Sequence, residues 1–202
     1  MTRITFDYEK NNFSTACFFN GSRHASGAEL GYPYHSNYQW LEDELSRELS
    51  HSGLILPVGV PTAMGIYALV RKDEPLLKEA IYIGTSVIEA VGLTYGLKYA
   101  FDRQRPYIKY PDKIHPIEPE DSPSFPSGHT AAAFSLATSL SITYPKWYVI
   151  APSAIWACGV GFSRINQGVH YPSDVLAGAA IGVGCAFVNV YVNRWLNQLL
   201  FK

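Results

Sequence analysis

Charge is what this sequence has least of. Only 16% of its 202 residues are Asp, Glu, Lys or Arg, whereas soluble domains carry about 25%. Lys and Arg number 16 against 17 Asp and Glu, a formal net charge of -1. A nucleic-acid binder needs a basic excess, so no nucleic-acid partner is expected. Three cysteines are too few for a disulfide framework. Cys158 and Cys185 fall in apolar runs and read as small core residues, and Cys17 stands apart as a free thiol. No secretory signal opens the chain, because Met1–Lys10 is polar with no apolar stretch behind it. Either the mature chain begins here or a later segment directs translocation. Repeats and low-complexity tracts are also missing, and a 48% hydrophobic content excludes disorder for the bulk of the chain. The length suits one domain.

Apolar segments are what the sequence has instead. Residues 1–38 are polar, aromatic and rich in Gly and Ser, and read as an irregular segment. In residues 39–50, Leu41, Leu45 and Leu49 recur every four residues, which stacks them on one face of an amphipathic helix. Such a helix packs on the core or lies in a membrane interface. Five apolar runs follow: 54–70, 80–97, 130–144, 147–162 and 175–192. Four carry no charge, and the second carries only Glu89. A helix that is apolar all round is either a buried helix or a membrane span. Gly178 and Gly182 form a G-x-x-x-G pair suited to close helix contact in lipid. The expected fold is therefore all-α: a bundle of about five apolar, membrane-spanning helices behind an N-terminal amphipathic helix. A soluble, centrally buried bundle is the other reading. The expected division is 1–53, the irregular segment with its amphipathic helix, and 54–202, the bundle.

Charged and polar residues that interrupt the apolar pattern form three clusters. The first, Lys98-x6-Arg105-Pro106, ends the second apolar helix. The second, Pro126-Ser127-Gly128-His129, starts the third. The third, Ser163-Arg164-x5-His170-x3-Asp174, joins the fourth helix to the fifth. Helices that alternate up and down bring all three to one end of the bundle, under a stiff cap formed by the proline-rich connection 98–129. Lys98, Arg105 and Arg164 would then surround a tetrahedral oxyanion, with Arg supplying a rigid fork of donors and Lys a point charge. Ser127 and Gly128 stand at a helix N-terminus, where free N–H groups favour an anion. No metal or other cofactor is expected, because the cations supply the electrostatics. A neutral histidine can attack phosphorus. Asp174 would fix the tautomer of His170 and steady its positive charge, while His129 protonates the leaving oxygen and later activates water. Asp102 and Arg103 read as loop charges, and Glu89 as a helix contact or a remote support of the site. His24, His35, His51 and His115 read as structural or exposed.

These clusters together resemble the signature of the type 2 phosphatidic acid phosphatase superfamily, K-x6-R-P, P-S-G-H and S-R-x5-H-x3-D, with every fixed position present in order over residues 98–174. The resemblance implies a helical phosphatase in which His170 is the nucleophile, Asp174 its orienting carboxylate and His129 the acid. It also implies that Lys98, Arg105, Ser127, Gly128 and Arg164 hold the phosphate. The implied substrate is a lipid phosphate or pyrophosphate. The implied location is a bacterial inner membrane, crossed several times, with the site facing the periplasm or exterior. A soluble, broad-specificity acid phosphatase is the alternative, and a vanadate-dependent haloperoxidase a remote one. Lys and Arg counts on the two faces, with Lys98, Arg105 and Arg164 set aside, are 7 and 6 and decide no orientation.

Overall fold

The computed structural model describes the backbone of residues 34–200 and the side chains of residues 43–195 and 198. Of the segment read as irregular over residues 1–38, residues 1–33, with Cys17 and His24, lie outside the described residues, and residues 34–38 are helical, which corrects that reading there.

Among the described residues, every regular element is a helix. Helix α1 runs Tyr34–Arg71, α2 Glu74–Phe101, the one-turn α3 Pro106–Lys109, α4 Gly128–Thr143, α5 Trp147–Asn166 and α6 Pro172–Leu200. The amphipathic stretch at 39–50 and the apolar run at 54–70 are successive parts of α1, which continues through Gly53 and carries Pro57 and Pro61 within it. Each of the other apolar runs seeds one long helix, extended at its ends by polar residues.

Helix boundaries follow local chemistry. Asp73 caps α2, its side chain accepting from Leu76 N–H at 3.1 Å. The same helix ends at Asp102, which adopts the left-handed conformation (φ 41°) and returns its N–H to Lys98 O. Asp tolerates that region better than most residues. Pro106 then starts α3, where its fixed φ suits a first helical position.

The bundle inverts the usual soluble pattern. Large apolar side chains point outward: Val70 is 75% exposed, Ile88 71%, Ile155 72% and Leu176 71%. The interior is built largely of Ala, Ser and Thr, with Ser86, Thr94, Thr130, Ser135 and Ser139 fully buried, around a small apolar cluster of Tyr82, Ile83, Val87 and Leu136. Among the described residues, four helical stretches are long and apolar enough to cross a membrane: Asp43–Arg71, Glu74–Lys109, Trp147–Asn166 and Pro172–Trp195. The chain is a multi-pass membrane protein. The remaining expected span, the run at 130–144, is α4, which is not among these four and has 16 residues, about 24 Å of rise. It is the central helix, packed against α1, α2, α5 and α6.

Small residues set the spacing around α4. A Cβ at Gly178 would meet Ser127 O at 2.5 Å, and one at Gly182 would meet Ser135 N at 2.8 Å. The G-x-x-x-G pair is thus the contact through which α6 reaches the α4 backbone.

Two expectations are corrected. The leucine stripe is only in part a packing face: Leu45 is 62% exposed, Leu49 is partly buried beside Gly159 of α5, the side chain of Leu41 lies outside the described residues, and Ser46 and Ser50 are buried. Small hydroxyl residues let α1 come close to the polar end of α5, and Leu45 is left facing outward. Cys158 is exposed and Cys185 only partly buried, because the apolar face of a membrane helix looks toward lipid as readily as toward the core.

Candidate active site

All three clusters meet at one end of the bundle. Lys98 lies near the end of α2, Arg105 caps α3, Ser127 and Gly128 begin α4, Arg164 ends α5, and His170 and Asp174 flank the start of α6. The turn from α5 to α6 needs Gly168, which has φ 72° and a backbone so placed that a Cβ would meet Ile114 at 2.7 Å. Lys98, Arg105, Arg164, His170 and Asp174 are all buried.

His170 has a defined orientation. Its Nδ1 lies 3.5 Å from Asp174 Oδ2, and its Nε2 lies 3.3 Å from Arg105 Nη1. A guanidinium can only donate, so Nε2 presents its lone pair and Nδ1 carries the proton. Burial is the main cause that lowers the His170 pKa, to about 4, and the charges of Arg105, Arg164 and Lys98 add to it against the pull of Asp174. The ring is therefore neutral at neutral pH, with its Nε2 lone pair among the cations.

Asp174 is held from several sides. Its Oδ2 accepts from Ser124 Oγ at 2.5 Å and from Tyr171 N–H at 2.9 Å. Its Oδ1 accepts from Arg103 Nη1 at 2.6 Å. Arg103 also donates to Ser173 Oγ at 2.8 Å and stacks 4.0 Å from the centre of the Tyr171 ring. Its reading as a loop charge is corrected: it is a partner of the site carboxylate.

Arg105 donates to Ser122 O at 2.7 Å, Val169 O at 3.0 Å and Ser122 Oγ at 3.0 Å. Arg164 donates to Ser50 Oγ and, at 3.0 Å, to Gln167 Oε1. Lys98 donates to Pro123 O. These bonds hold the cations in place despite their mutual repulsion. Ser127 is fully buried. Its N–H donates to Asp174 O at 3.0 Å and its hydroxyl accepts from Thr130 Oγ1 at 2.9 Å. It ties the start of α4 to the start of α6.

The arrangement binds an anion, and it already holds one. The Glu120 carboxylate bridges Arg105 Nη2, at 2.5 Å, and Arg164 Nη2, and lies 3.9 Å from His129 Nδ1. Burial acts to raise its pKa, but the charges of Arg164 and Arg105 prevail and hold it down at about 2. His129 is itself lowered to about 3, by burial first and by Arg164 next.

Glu120 sits on the proline-rich connection, which folds over the site. Ser124 N–H donates to Arg103 O at 2.8 Å, Tyr107 Oη to Glu120 O at 2.7 Å, and Ile117 N–H to Gln167 O at 3.3 Å. Glu118 pairs outside the site with Arg47 Nε at 3.4 Å and His51 Nε2 at 3.2 Å. Sequence reasoning did not single out Glu120, Ser124, Ser50 or Gln167, which stand outside the three clusters or at their variable positions and carry no spacing signal. Glu89 is partly buried in α2, within the span and outside these contacts.

The profile of the PAP2 superfamily matches residues 79–198, more than half of the chain. The chain belongs to the PAP2 superfamily. It is 34% identical over 116 residues to an undecaprenyl-diphosphatase of Sulfolobus acidocaldarius, covering 57% of this chain and 55% of that protein. It resembles the crystal structure of Aquifex aeolicus LpxE with a TM-score of 0.61 and 31% identity, over 75% of this chain and 86% of the other. It also resembles a transmembrane PAP2-type phosphatidylglycerolphosphate phosphatase of Bacillus subtilis, with a TM-score of 0.57 and 30% identity over 77% of each chain. The match spans between 22% and 57% of the length of the first curated relatives. The PAP2 match covers all three clusters, which the structure brings to one end of the bundle.

Proposed function

We propose that this PAP2 protein is a metal-independent phosphatase that hydrolyses a lipid phosphate or pyrophosphate monoester through a phosphohistidine at His170. The observation that carries this reading is the neutral Nε2 of His170, held 3.3 Å from Arg105 beside two arginines that converge on one anion. In the first step Nε2 attacks phosphorus and the P–O bond to the leaving group breaks. His129 gives its proton to the leaving oxygen. In the second step water, deprotonated by His129, attacks the phosphohistidine and releases inorganic phosphate and free His170. Lys98, Arg105 and Arg164 hold the phosphoryl oxygens throughout. Asp174 keeps the proton on Nδ1 and stabilises the imidazolium that forms. A phosphate dianion beside His129 raises the proton affinity of that ring, so substrate binding itself arms the acid.

The outward-facing apolar side chains support a lipid substrate, because the proposed site then lies at the end of a membrane bundle. The undecaprenyl-diphosphatase and phosphatidylglycerolphosphate phosphatase relatives fit a phosphate or diphosphate carried on an apolar chain. We place the protein in a bacterial inner membrane with this end facing the periplasm or exterior.

The test is phosphate release by the detergent-purified protein, with EDTA present. Substrates are phosphatidate, phosphatidylglycerol phosphate, a polyprenyl diphosphate and a soluble aryl phosphate. Lipid turnover well above aryl phosphate turnover, lost in His170→Ala, supports the reading. Preference for the aryl ester would favour a broad-specificity acid phosphatase. A strict need for Mg²⁺ would contradict the metal-free mechanism.

A further inference from the structure

Glu120 occupies the place that the proposed reaction reserves for phosphate. A carboxylate and a phosphate use the same two-pronged fit to arginine. Glu120 bridges one nitrogen of Arg105 and one of Arg164, and its oxygen lies within 3.9 Å of His129. Arg164 Nε, buried, finds no hydrogen-bond partner among the described residues. Two carboxylate oxygens thus leave a donor unused that an anion with three free oxygens could engage. The backbone of Glu120 is anchored to the hydroxyl of Tyr107, which donates to its carbonyl at 2.7 Å and accepts from its N–H at 3.2 Å. Its neighbour Glu118 is tied outside the site to Arg47 and His51. The segment is therefore a strap across the mouth, with one carboxylate turned inward on the cations.

We propose that Glu120 is a resident competitor for the phosphate site, an affinity-determining residue that must leave the two arginines before a phosphoryl group can seat. This rests on the assignment of Arg105 and Arg164 as phosphate ligands. Two anions cannot share those guanidiniums without strong repulsion, so occupancy by Glu120 and by phosphate is exclusive. The apparent dissociation constant of every anion is then raised by the same factor, the inverse of the fraction of molecules with Glu120 withdrawn. A phosphate on an apolar chain gains further binding in the membrane and still seats at working concentrations. Free inorganic phosphate, which has no such anchor, does not. Glu120 thereby disfavours retention of the product and blocking of the cations by soluble anions.

The test measures anion binding directly on the full chain in detergent. Orthophosphate is titrated by calorimetry, and orthovanadate by inhibition of phosphate release, for the wild type, E120Q and E120D. Removing the charge in E120Q should tighten orthophosphate binding at least tenfold and lower the inhibition constant of vanadate by a similar factor. KM should fall in parallel, with kcat changed far less. E120D, one methylene shorter and unable to bridge both arginines, should fall between. An E120Q protein that melts like the wild type but binds orthophosphate equally or more weakly overturns the proposal, because Glu120 would then be only a brace for the arginines. If E120Q fails to fold, E120D decides by the same criterion. If the wild type and both variants bind neither anion, the assignment of the phosphate site fails, and this inference with it.

Discussion

Arg103 Nη1 donates to Asp174 Oδ1 at 2.6 Å, joining residues 71 positions apart. Arg103 lies just after the left-handed turn at Asp102, and Asp174 lies in the first turn of α6. The bond fixes the one carboxylate oxygen that does not face His170. It makes the orientation of the site carboxylate depend on a residue in the variable part of the first motif.

Loss of Arg103 should therefore weaken turnover without much change in substrate binding. Hydrogen bonds to charged groups contribute about 1.5–3 kcal/mol, and each 1.36 kcal/mol of barrier is a factor of ten. Arg103→Gln should lower kcat by roughly ten- to a hundredfold, with KM within a few-fold of wild type. An unchanged kcat would return Arg103 to the status of a surface charge.

Asp174→Asn tests the tautomer. An amide can donate its N–H to His170 Nδ1 and so favour the wrong protonation of the ring, as in a catalytic triad whose carboxylate is replaced. The expected loss in kcat is roughly a thousandfold or more. The same variant also gives up the charge that partners Arg103 and Ser124, so its melting temperature should fall. Turnover close to wild type would exclude an orienting role for Asp174.

The α4–α6 contact predicts a contrast between two glycines. A Cβ at Gly182 would sit 2.8 Å from Ser135 N, whereas one at Gly92 would meet nothing within 4 Å. Gly182→Val should destabilise the protein by about 1–3 kcal/mol or more through overpacking. Gly92→Ala should be neutral or stabilise it slightly. Thermal melting in one detergent compares them directly. Equal melting temperatures would argue against close approach of α6 to the α4 backbone.

Protonation of the buried histidine sets an acid limit on stability. The His170 pKa is lowered from 6.5 to about 4 on folding. Between these values the unfolded chain binds more protons than the folded one, so stability rises with pH. The contribution is complete above about 6.5 and is lost as pH falls toward 4. Glu120, lowered from 4.5 to about 2, extends the loss below 4.5 with the same sign. Melting temperature should drop steadily from pH 6.5 to 4, and His170→Gln should make that drop smaller, leaving the contribution of His129, whose pKa is lowered from 6.5 to about 3. A melting temperature independent of pH across this window would contradict a buried, neutral His170.

Chemistry-bearing residues were largely legible in the sequence because the reaction types demand them at particular helix ends. Lys98, Arg105, His129, Arg164, His170 and Asp174 interrupt or terminate apolar runs, and an up-and-down bundle brings such ends together whatever the details of packing. The apolar runs themselves announced the long helices, since a helix with no polar face has to be enclosed by protein or by lipid. Gly178 and Gly182 foretold the close contact of α6.

Only the tertiary structure decided which polar groups hold these residues in place. Glu120 reaches the two arginines because the proline-rich connection folds back over the bundle, and the sequence contains no periodicity that announces such a return. Arg103 meets Asp174 through a single left-handed residue. Ser46 and Ser50, rather than Leu45, face the polar end of α5, because close packing in a membrane bundle rewards small side chains and lets large apolar ones face lipid. A sequence determines helices by local pattern and charge-bearing ends by topology. The pairing of charges within a buried site depends on where loops cross in space, and that is settled only when the chain is packed.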